Sequence, residues 1–290
     1  MRTYVIGDVH GMDRELIALW SELDVRHDDR VVSVGDLLDK GPDSGAVVRF
    51  LRERRDEGHR VDLVMGNHEE KHAKFRSKRA RGGDRAVRKL GGRQRLEAIT
   101  DALSSADIAF LDSAVPFLRL EDHGAVVLHA GLTPDIEVLD DTPRTLSRLL
   151  RTRHVRGRTT RRVTVEFVVD SEEPLSIEEL VRRAHTTHIV SEKVRERGSF
   201  VQLDRVQPED PFWAEVYDGR FGHVYFGHEP FVQQQPKHFE HATGLDTGCV
   251  FGGWLTAAVL VAGEVPSFVS VPAQRREDWD FAALRDAFVE

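Results

Sequence analysis

The sequence predicts an α/β fold, and three observations lead to this prediction. Short apolar runs of strand length alternate with longer amphipathic stretches of helical length in the first part of the chain. The first two runs enclose one helical stretch, which is the pattern of a βαβ unit with parallel strands. A glycine and a cluster of polar residues directly follow several of the runs. Because parallel strands end at one edge of a sheet, where α/β proteins bind ligands, we expect these polar residues to converge.

The first apolar run, Thr3 to Ile6, leads into Gly7-Asp-Val-His-Gly11. Asp8 and His10 are two residues apart, and such residues point to the same side of an extended chain. One metal ion could therefore bind both, although an isolated Asp-x-His pair is more often a surface turn. The amphipathic stretch from Met12 to Leu23 then predicts a helix that packs on the sheet.

The second run, Val31 to Val34, leads into Gly35-Asp-Leu-Leu-Asp-Lys-Gly-Pro42. Carboxylates crowded at a strand end repel one another unless a cation lies between them, and the two oxygens of one carboxylate can bridge two metal ions. We interpret Asp36 as this bridging ligand. An amphipathic stretch from Ser44 to Glu57 predicts the next helix.

The third run, Val61 to Met65, leads into Gly66-Asn-His-Glu69. Asn67 offers a neutral carbonyl oxygen, which is an acceptable ligand beside carboxylates. His68 suits general acid catalysis, and Asp39 could hold its other ring nitrogen and favour the protonated form. In isolation, Asn67 and His68 are equally compatible with a helix N-cap followed by an exposed histidine.

A long basic stretch follows this motif. Between Lys74 and Arg95 there are ten lysine or arginine residues and one acidic residue, Asp84. The stretch reads as helical, with breaks at its two Gly-Gly pairs, and it is either a solvated helix face or a groove for a polyanionic substrate.

The next elements are a helix from Leu96 to Leu111 and two strands, Pro116 to Leu120 and Ala125 to Leu128. The second strand ends in His129-Ala-Gly131, which repeats the pattern of strand, ligand-type residue and glycine. This repetition makes His129 the next candidate metal ligand.

The segment from about 140 to 210 lacks this regularity, and we interpret it as an insertion or cap within one domain that covers residues 1–290. It has six arginines and no acidic residue between Arg151 and Arg162, a β-like run from Val163 to Val169, and a helix capped at Ser176. The insertion is therefore expected to be helical and basic.

The last motif, Gly227-His-Glu-Pro230, follows a strand from Val224 to Phe226 and supplies His228. The glycine-rich stretch after it contains Asp246, which either supports a ligand histidine from behind or is a turn residue. A hairpin over residues 255–271 and a C-terminal helix over residues 279–289 complete the prediction.

Composition limits the function classes. The net charge is -8 and 31% of the residues are charged, which argues against general nucleic-acid binding. Cys249 is the only cysteine, which fits a reducing cytosol, and no apolar stretch reaches the roughly 20 residues of a membrane span. No signal peptide is expected ahead of the first motif, so the predicted location is cytoplasmic.

Together, these residues predict a centre with two divalent ions. The candidate ligands are Asp8, His10, Asp36, Asn67, His129 and His228. Histidine, carboxylate and amide ligands without a thiolate favour manganese, with iron, zinc, cobalt or magnesium as alternatives. Two such ions clamp a phosphoryl group and activate water, which predicts hydrolysis of a phosphoester or phosphoanhydride. His68 would protonate the leaving oxygen, Asp39 would orient His68, and Lys40 would hold a phosphate oxygen.

In this order, the five motifs resemble the signature of the calcineurin-like metallophosphoesterases, in their phosphoprotein-phosphatase branch. The resemblance implies a four-layer αββα sandwich, in which helices flank two packed β-sheets. It also implies that Asp8, His10 and Asp36 bind one ion, and that Asp36, Asn67, His129 and His228 bind the other.

Two features resemble the ApaH-like phosphatases, which are relatives of the symmetrical diadenosine tetraphosphatases. These are Lys40, where protein phosphatases usually carry arginine, and the motif Leu245-Asp-Thr-Gly-Cys-Val-Phe-Gly-Gly253. Some members of that group carry alanine where this chain has Asp39. The resemblance implies hydrolysis of dinucleoside polyphosphates, such as diadenosine tetraphosphate to two ADP. The alternatives are a phosphomonoesterase acting on proteins or small molecules, a polyphosphatase, and a nucleotide sensor without activity.

Overall fold

The structure, a computed structural model, describes residues 1–88, 90–167, 189–203 and 207–274, together with Ser176, Glu178 and Glu179. The predicted C-terminal helix and most of the helix predicted after Ser176 lie outside the described residues. No helix in the described ranges is long and apolar enough to cross a membrane.

Strands and helices alternate in the first third of the chain, as predicted. In chain order the strands are β1 (Thr3–Ile6), β2 (Arg30–Ser33), β3 (Arg60–Leu63), β4 (Phe117–Leu120), β5 (Ala125–Leu128), β6 (Val155–Phe167), β7 (Ile189–Gln202), β8 (His223–Phe226), β9 (Lys237–His238), β10 (Ala242–Gly244), β11 (Trp254–Leu260) and β12 (Ser267–Pro272). The helices are α1 (Asp13–Glu22), α2 (Ser44–Asp56), α3 (Asn67–Val87), α4 (Arg93–Ala102), α5 (Ser105–Asp112) and α6 (Pro143–Leu149).

Two five-stranded sheets form the centre of the molecule. The first has the order β12-β11-β1-β2-β3, in which β1, β2 and β3 are parallel and β11 is antiparallel to β1. The second has the order β4-β5-β8-β10-β9, in which β5, β8 and β10 are parallel. The parallel strands explain why the motifs that follow them meet at one edge of each sheet.

Alternate residues of the strands pack on opposite faces of the sheets. Val5 of β1 and Val127 of β5 belong to one buried cluster between the two sheets. Ile6 packs with α1 and α2 on the outer face of the first sheet, and Leu128 packs with Trp213 on the outer face of the second. Because helices and loops cover these two outer faces, the layers form the predicted αββα sandwich.

The predicted insertion was expected to be helical, but its described part consists mainly of β-strands. It contains the short helix α6, but β6 and β7 form a long antiparallel hairpin, paired from Val155 opposite Gln202 to Phe167 opposite Ile189. The charged sequence of β7 lacks the apolar alternation that marks a half-buried strand, so backbone pairing with β6 defines it. Backbone hydrogen bonds from Val155 to Pro211 and from Trp213 to Arg153 close the base of the hairpin.

Another difference concerns the helix predicted from Leu96 to Leu111. The structure has two helices there, because the first ends at Ala102 before an extended Leu103, and Ser104 caps the second. Its hydroxyl accepts the N–H of Asp107, and the Asp107 carboxylate accepts the N–H of Ser104. This reciprocal capping box stabilises a new helix start inside an otherwise continuous helical pattern.

Candidate metal centre

The loops after β1, β2, β5 and β8 and the first residue of α3 bring six polar side chains together. We call them the polar cluster: Asp8, His10, Asp36, Asn67, His129 and His228. Candidate ligand atoms of Asp36, His129 and His228 lie within 4.8 Å of one another, and the same holds for His10, Asp36 and His68. The sequence therefore predicted which residues meet, although Asp8 and His228 are 220 residues apart in the chain.

Asp36 lies between the two halves of the polar cluster. Its Oδ2 is 3.4 Å from His10 Nε2, and its Oδ1 is 3.4 Å from His129 Nε2. Burial raises the pKa of this carboxyl group, but nearby positive charges, among them His68 and Lys40, outweigh burial and lower the pKa below the usual range. Each oxygen of an ionised Asp36 thus faces a different histidine, which is the arrangement that a bridging ligand requires.

Backbone carbonyls fix the orientation of two histidine rings. His10 Nδ1 donates to the carbonyl of Leu38 at 2.9 Å, and His129 Nδ1 donates to the carbonyl of Val34 at 3.0 Å. Burial lowers the pKa of both rings, so each is neutral and carries its lone pair on Nε2. Both lone pairs face Asp36, as in histidines that ligate metal ions.

The contact between Asn67 and His129 tests whether a cation fits. Asn67 Oδ1 lies 2.9 Å from His129 Nε2. Since Nδ1 of His129 carries the proton, the lone pair of its Nε2 faces a lone pair of Asn67 Oδ1. Two lone pairs repel each other, and a cation bound by both atoms makes this arrangement favourable. The residues present therefore fit a divalent ion at this position.

Asp8 connects the two sheets at the polar cluster. Both of its carboxylate oxygens lie 3.1 Å from the backbone N of His228, and its Oδ2 lies 3.9 Å from His10 Nε2. Gly227 makes this approach possible, because a Cβ at this position would lie 1.9 Å from Asp8 Oδ1. The absence of a side chain at Gly227 is therefore a requirement of the site.

Replacing Gly227 with alanine is expected to displace Asp8 and to lower metal content and activity together, while the fold persists. Activity should fall by about 10²-fold or more, since misplacing a reacting group by about 1 Å costs this much. Metal analysis of the purified variant and a turnover assay measure both effects. Gly45→Ala is the matched control, because its Cβ would meet its nearest neighbour at 3.4 Å. Full metal content in Gly227→Ala would contradict the role assigned to Asp8.

His68 and Asp39 form a hydrogen-bonded pair beside the polar cluster. His68 Nδ1 lies 2.6 Å from Asp39 Oδ2, and His68 Nε2 lies 3.8 Å from Asp36 Oδ2. Burial lowers the pKa of His68, but the charges of Asp36 and Asp39 outweigh it, and the net shift is upward. The pair therefore favours a protonated His68 with Nε2 directed at the polar cluster, which is the geometry of a general acid.

Lys40 and Asp246 lie at the margin of the polar cluster. Lys40 Nζ is 2.8 Å from His10 Nε2, so its charge lies beside the candidate metal ligands. Asp246 Oδ1 accepts the N–H of Gly248 at 3.0 Å, and after burial its charge is the largest cause that raises the pKa of Asp8. Asp246 thus makes the turn contact, and its support of a ligand histidine stays a prediction.

The backbone of the site is strained. Among the described residues, six that are not glycine have a positive φ, and all except Asp24 belong to the site. The five are His10 (46°), Asp36 (52°), Asp39 (66°), Lys40 (58°) and His228 (70°). Such conformations cost on the order of 1–3 kcal/mol each and persist where surrounding contacts impose them.

Glu69 supplies one of those contacts, and the sequence argument gave it no role. Its buried carboxylate accepts the backbone N–H groups of Asp36 (2.7 Å), Leu37 (2.9 Å), Leu38 (3.2 Å) and Gly66 (3.0 Å). It thereby fixes the loop that carries Asp36 and Asp39. The position of Glu69 at the end of a Gly-Asn-His-Glu motif was the available signal.

His72 was also missed. It is fully buried, and its Nε2 lies 3.2 Å from Asp39 Oδ1, opposite the oxygen that contacts His68. The spacing of His68 and His72, four residues apart on α3, places both on one helix face and could have predicted this contact.

Comparisons with known proteins agree with this geometry. The model of the calcineurin-like phosphoesterase family matches residues 1–231. A Bacillus velezensis protein named bis(5'-nucleosyl)-tetraphosphatase PrpE [asymmetrical] is 29% identical over 269 residues, covering 87% of this chain and 86% of its own. An Erwinia tasmaniensis protein named bis(5'-nucleosyl)-tetraphosphatase, symmetrical, is 28% identical over 278 residues. The match covers 88% of this chain and 93% of the Erwinia protein.

Solved structures share the fold. One, provisionally assigned as a diadenosine tetraphosphatase, superposes with a TM-score of 0.64 at 24% identity over 95% of each chain. A protein serine/threonine phosphatase from Saccharomyces cerevisiae superposes with a TM-score of 0.52 at 14% identity over 96% of this chain and 82% of its own. The family match covers far more than half of the chain, so the chain belongs to the calcineurin-like phosphoesterases and is a metal-dependent hydrolase of phosphoester or phosphoanhydride bonds.

Proposed function

We propose that the chain hydrolyses the phosphoanhydride bonds of dinucleoside polyphosphates, with diadenosine tetraphosphate as substrate and two ADP as products. The observation that carries this proposal is the polar cluster bordered by cations. Lys40 lies beside His10, Lys71 Nζ lies 3.8 Å from Asp39 Oδ2, and Arg95 Nε lies 3.5 Å from Asp39 Oδ1. A substrate with several adjacent phosphates complements this charge distribution.

In this proposal the polar cluster holds two divalent ions, with Asp8, His10 and Asp36 on one and Asp36, Asn67, His129 and His228 on the other. Manganese suits this mixed ligand set, and iron, zinc, cobalt or magnesium are alternatives. When bound, such ions polarise the phosphoryl group and make water a stronger nucleophile. We further propose that residues 1–290 form one domain, in which residues 140–210 are an insertion.

The remaining steps belong to side chains. His68 gives its proton from Nε2 to the leaving oxygen, and Asp39 holds Nδ1 so that the ring faces the polar cluster. Lys40 offers a positive charge to the non-bridging phosphate oxygens. The loop that carries Asp36, Asp39 and Lys40 is already ordered by Glu69, so little reorganisation is needed when the substrate binds.

The test is an analysis of products. Purified protein with manganese is expected to convert diadenosine tetraphosphate to ADP alone, as measured by anion-exchange chromatography. A panel with inorganic polyphosphate and a phosphopeptide at equal concentrations tests the alternatives, and a strong preference for either would contradict the proposal. Protein treated with a chelator is the control and should release no product.

Asymmetrical cleavage is a second candidate. The relative from Bacillus velezensis carries the asymmetrical name at the same level of identity as the relatives with the symmetrical name. Equal amounts of ATP and AMP in the product analysis would support this candidate and contradict symmetrical cleavage.

A further inference from the structure

A pocket with a volume of about 250 Å³ lies next to the His68–Asp39 pair, between α3 and the turn that leads into α4. We call it the lysine pocket. Three amines and three apolar side chains characterise its lining: Lys71, Lys74, Lys78, Phe75, Leu90 and Leu96. Glu70 and Arg151 complete the charged part of the lining.

The three lysines form a row that leads away from the polar cluster. Their spacing of three and then four residues places them on one face of α3, and the row extends about 10 Å at 1.5 Å per residue. It starts at Lys71, whose Nζ lies 3.8 Å from Asp39 Oδ2. A chain of phosphates bound at the polar cluster can therefore continue along the lysines.

The net charge of the lysine pocket is positive. Among the described residues that line it, Glu70 is the only acidic one, and it pairs with both Lys74, at 2.7 Å, and Arg151. Four cationic side chains thus line the pocket with one carboxylate, and Lys71 also contacts Asp39 at its border. Such an excess of positive charge attracts an anion with several charges. The pocket also favours the groove for a polyanionic substrate over a merely solvated helix face, which would not form a concave site.

The floor of the lysine pocket is apolar. Phe75 and Leu96 are 1% and 2% exposed, and Leu90 is partly buried in the same small cluster, which is separate from the main core. Gly91 leaves the rim open, because a Cβ there would meet no atom within 4 Å. Inorganic phosphate chains gain nothing from an apolar floor, but a planar base does.

We propose that the lysine pocket binds the nucleoside diphosphate part of the substrate that extends beyond the scissile bond. Lys71, Lys74 and Lys78 bind its phosphates, and its base packs on the partly exposed Leu90, which the buried Phe75 and Leu96 support from below. This proposal rests on the proposed hydrolysis of dinucleoside polyphosphates, and it assigns the basic stretch after the third motif to substrate binding.

Calorimetric binding of ADP and of orthophosphate to the manganese-loaded protein tests the proposal without turnover. Lys78→Glu is expected to weaken ADP binding about tenfold, because it turns an attraction into a repulsion, and Leu90→Ala about threefold. Neither variant should change the affinity for orthophosphate, which reaches only the polar cluster. Lys237→Glu, the same charge reversal at an exposed lysine far from the pocket, is the control and should bind ADP as the unmodified protein does.

Unchanged ADP binding in both variants would overturn the proposal. Equal weakening of ADP binding and orthophosphate binding would overturn it as well, because it would indicate a general electrostatic effect and not a nucleotide subsite. An effect of Lys78→Glu without an effect of Leu90→Ala would overturn the contact with the base. If the binding results agree but diadenosine tetraphosphate is not cleaved, the proposed function fails and the nucleotide subsite stands.

Discussion

Replacing Asp36 with asparagine is expected to remove both metal ions and to reduce activity to that of chelator-treated protein. The two oxygens of Asp36 face His10 and His129 separately, and an amide offers one oxygen and one NH2 group, which cannot bind a cation, in their place. The two-metal clamp contributes several kcal/mol to the transition state, so the expected loss is on the order of 10³–10⁴-fold. Metal analysis and steady-state kinetics measure the two effects.

Thermal unfolding gives a second measurement of the same change. Ions that bind only the folded state stabilise it, so a chelator should lower the melting temperature of the unmodified protein but not that of Asp36→Asn. Asp101→Asn, at an exposed ion pair with Arg79, is the matched control and should keep its metal. An Asp36→Asn variant that retains two ions per chain would show that the bridge lies elsewhere.

The second large effect is expected from His68→Asn. Turnover should fall about 10²–10⁴-fold, which is the contribution of a general acid, while metal content stays nearly intact. The size of the loss should depend on the leaving group. An activated aryl phosphate releases a stable aryl oxide that needs no proton, so its hydrolysis should suffer less than that of an alkyl phosphate such as a phosphoserine peptide, which releases a basic alkoxide.

Asp39→Asn should also lower turnover, since Asp39 Oδ2 lies 2.6 Å from Nδ1 of His68 and orients the ring. The loss of turnover should be smaller than that of His68→Asn. His27→Asn, at an exposed histidine stacked on His59, is the matched control. Loss of metal from His68→Asn would identify His68 as a ligand, and an equal loss on both substrates would argue against proton donation.

Local patterns were sufficient to predict which residues meet. Each motif follows a strand directly, and the parallel strands of a βαβ unit must end at the same edge, so Asp8, Asp36 and Asn67 could be placed together from sequence order alone. His129 and His228 follow β5 and β8, which are parallel neighbours in the second sheet. Their position opposite the first sheet depends on packing between distant segments.

The features that the sequence argument missed depend on contacts over long distances. The positive φ values at the site are imposed by partners such as Glu69, whose carboxylate binds a loop about 30 residues earlier in the chain. No periodicity marks a residue for such a conformation. The β-like run predicted from Val163 to Val169 overlaps the end of β6, but its partner β7 was missed, because cross-strand pairing defines β7 and its charged sequence does not.

The position of β1 determines when the first sheet can be completed. This strand lies between β2 and β11, with Thr3 opposite Leu260, so one neighbour is synthesised early and the other near the end of the described chain. A growing chain can pair β1 with β2, but the other edge of β1 stays open until β11 leaves the ribosome. Contacts between such distant segments form slowly. The loop with Asp8 and His10 is therefore synthesised early, but the sheet that holds it is complete only when β11 pairs with β1.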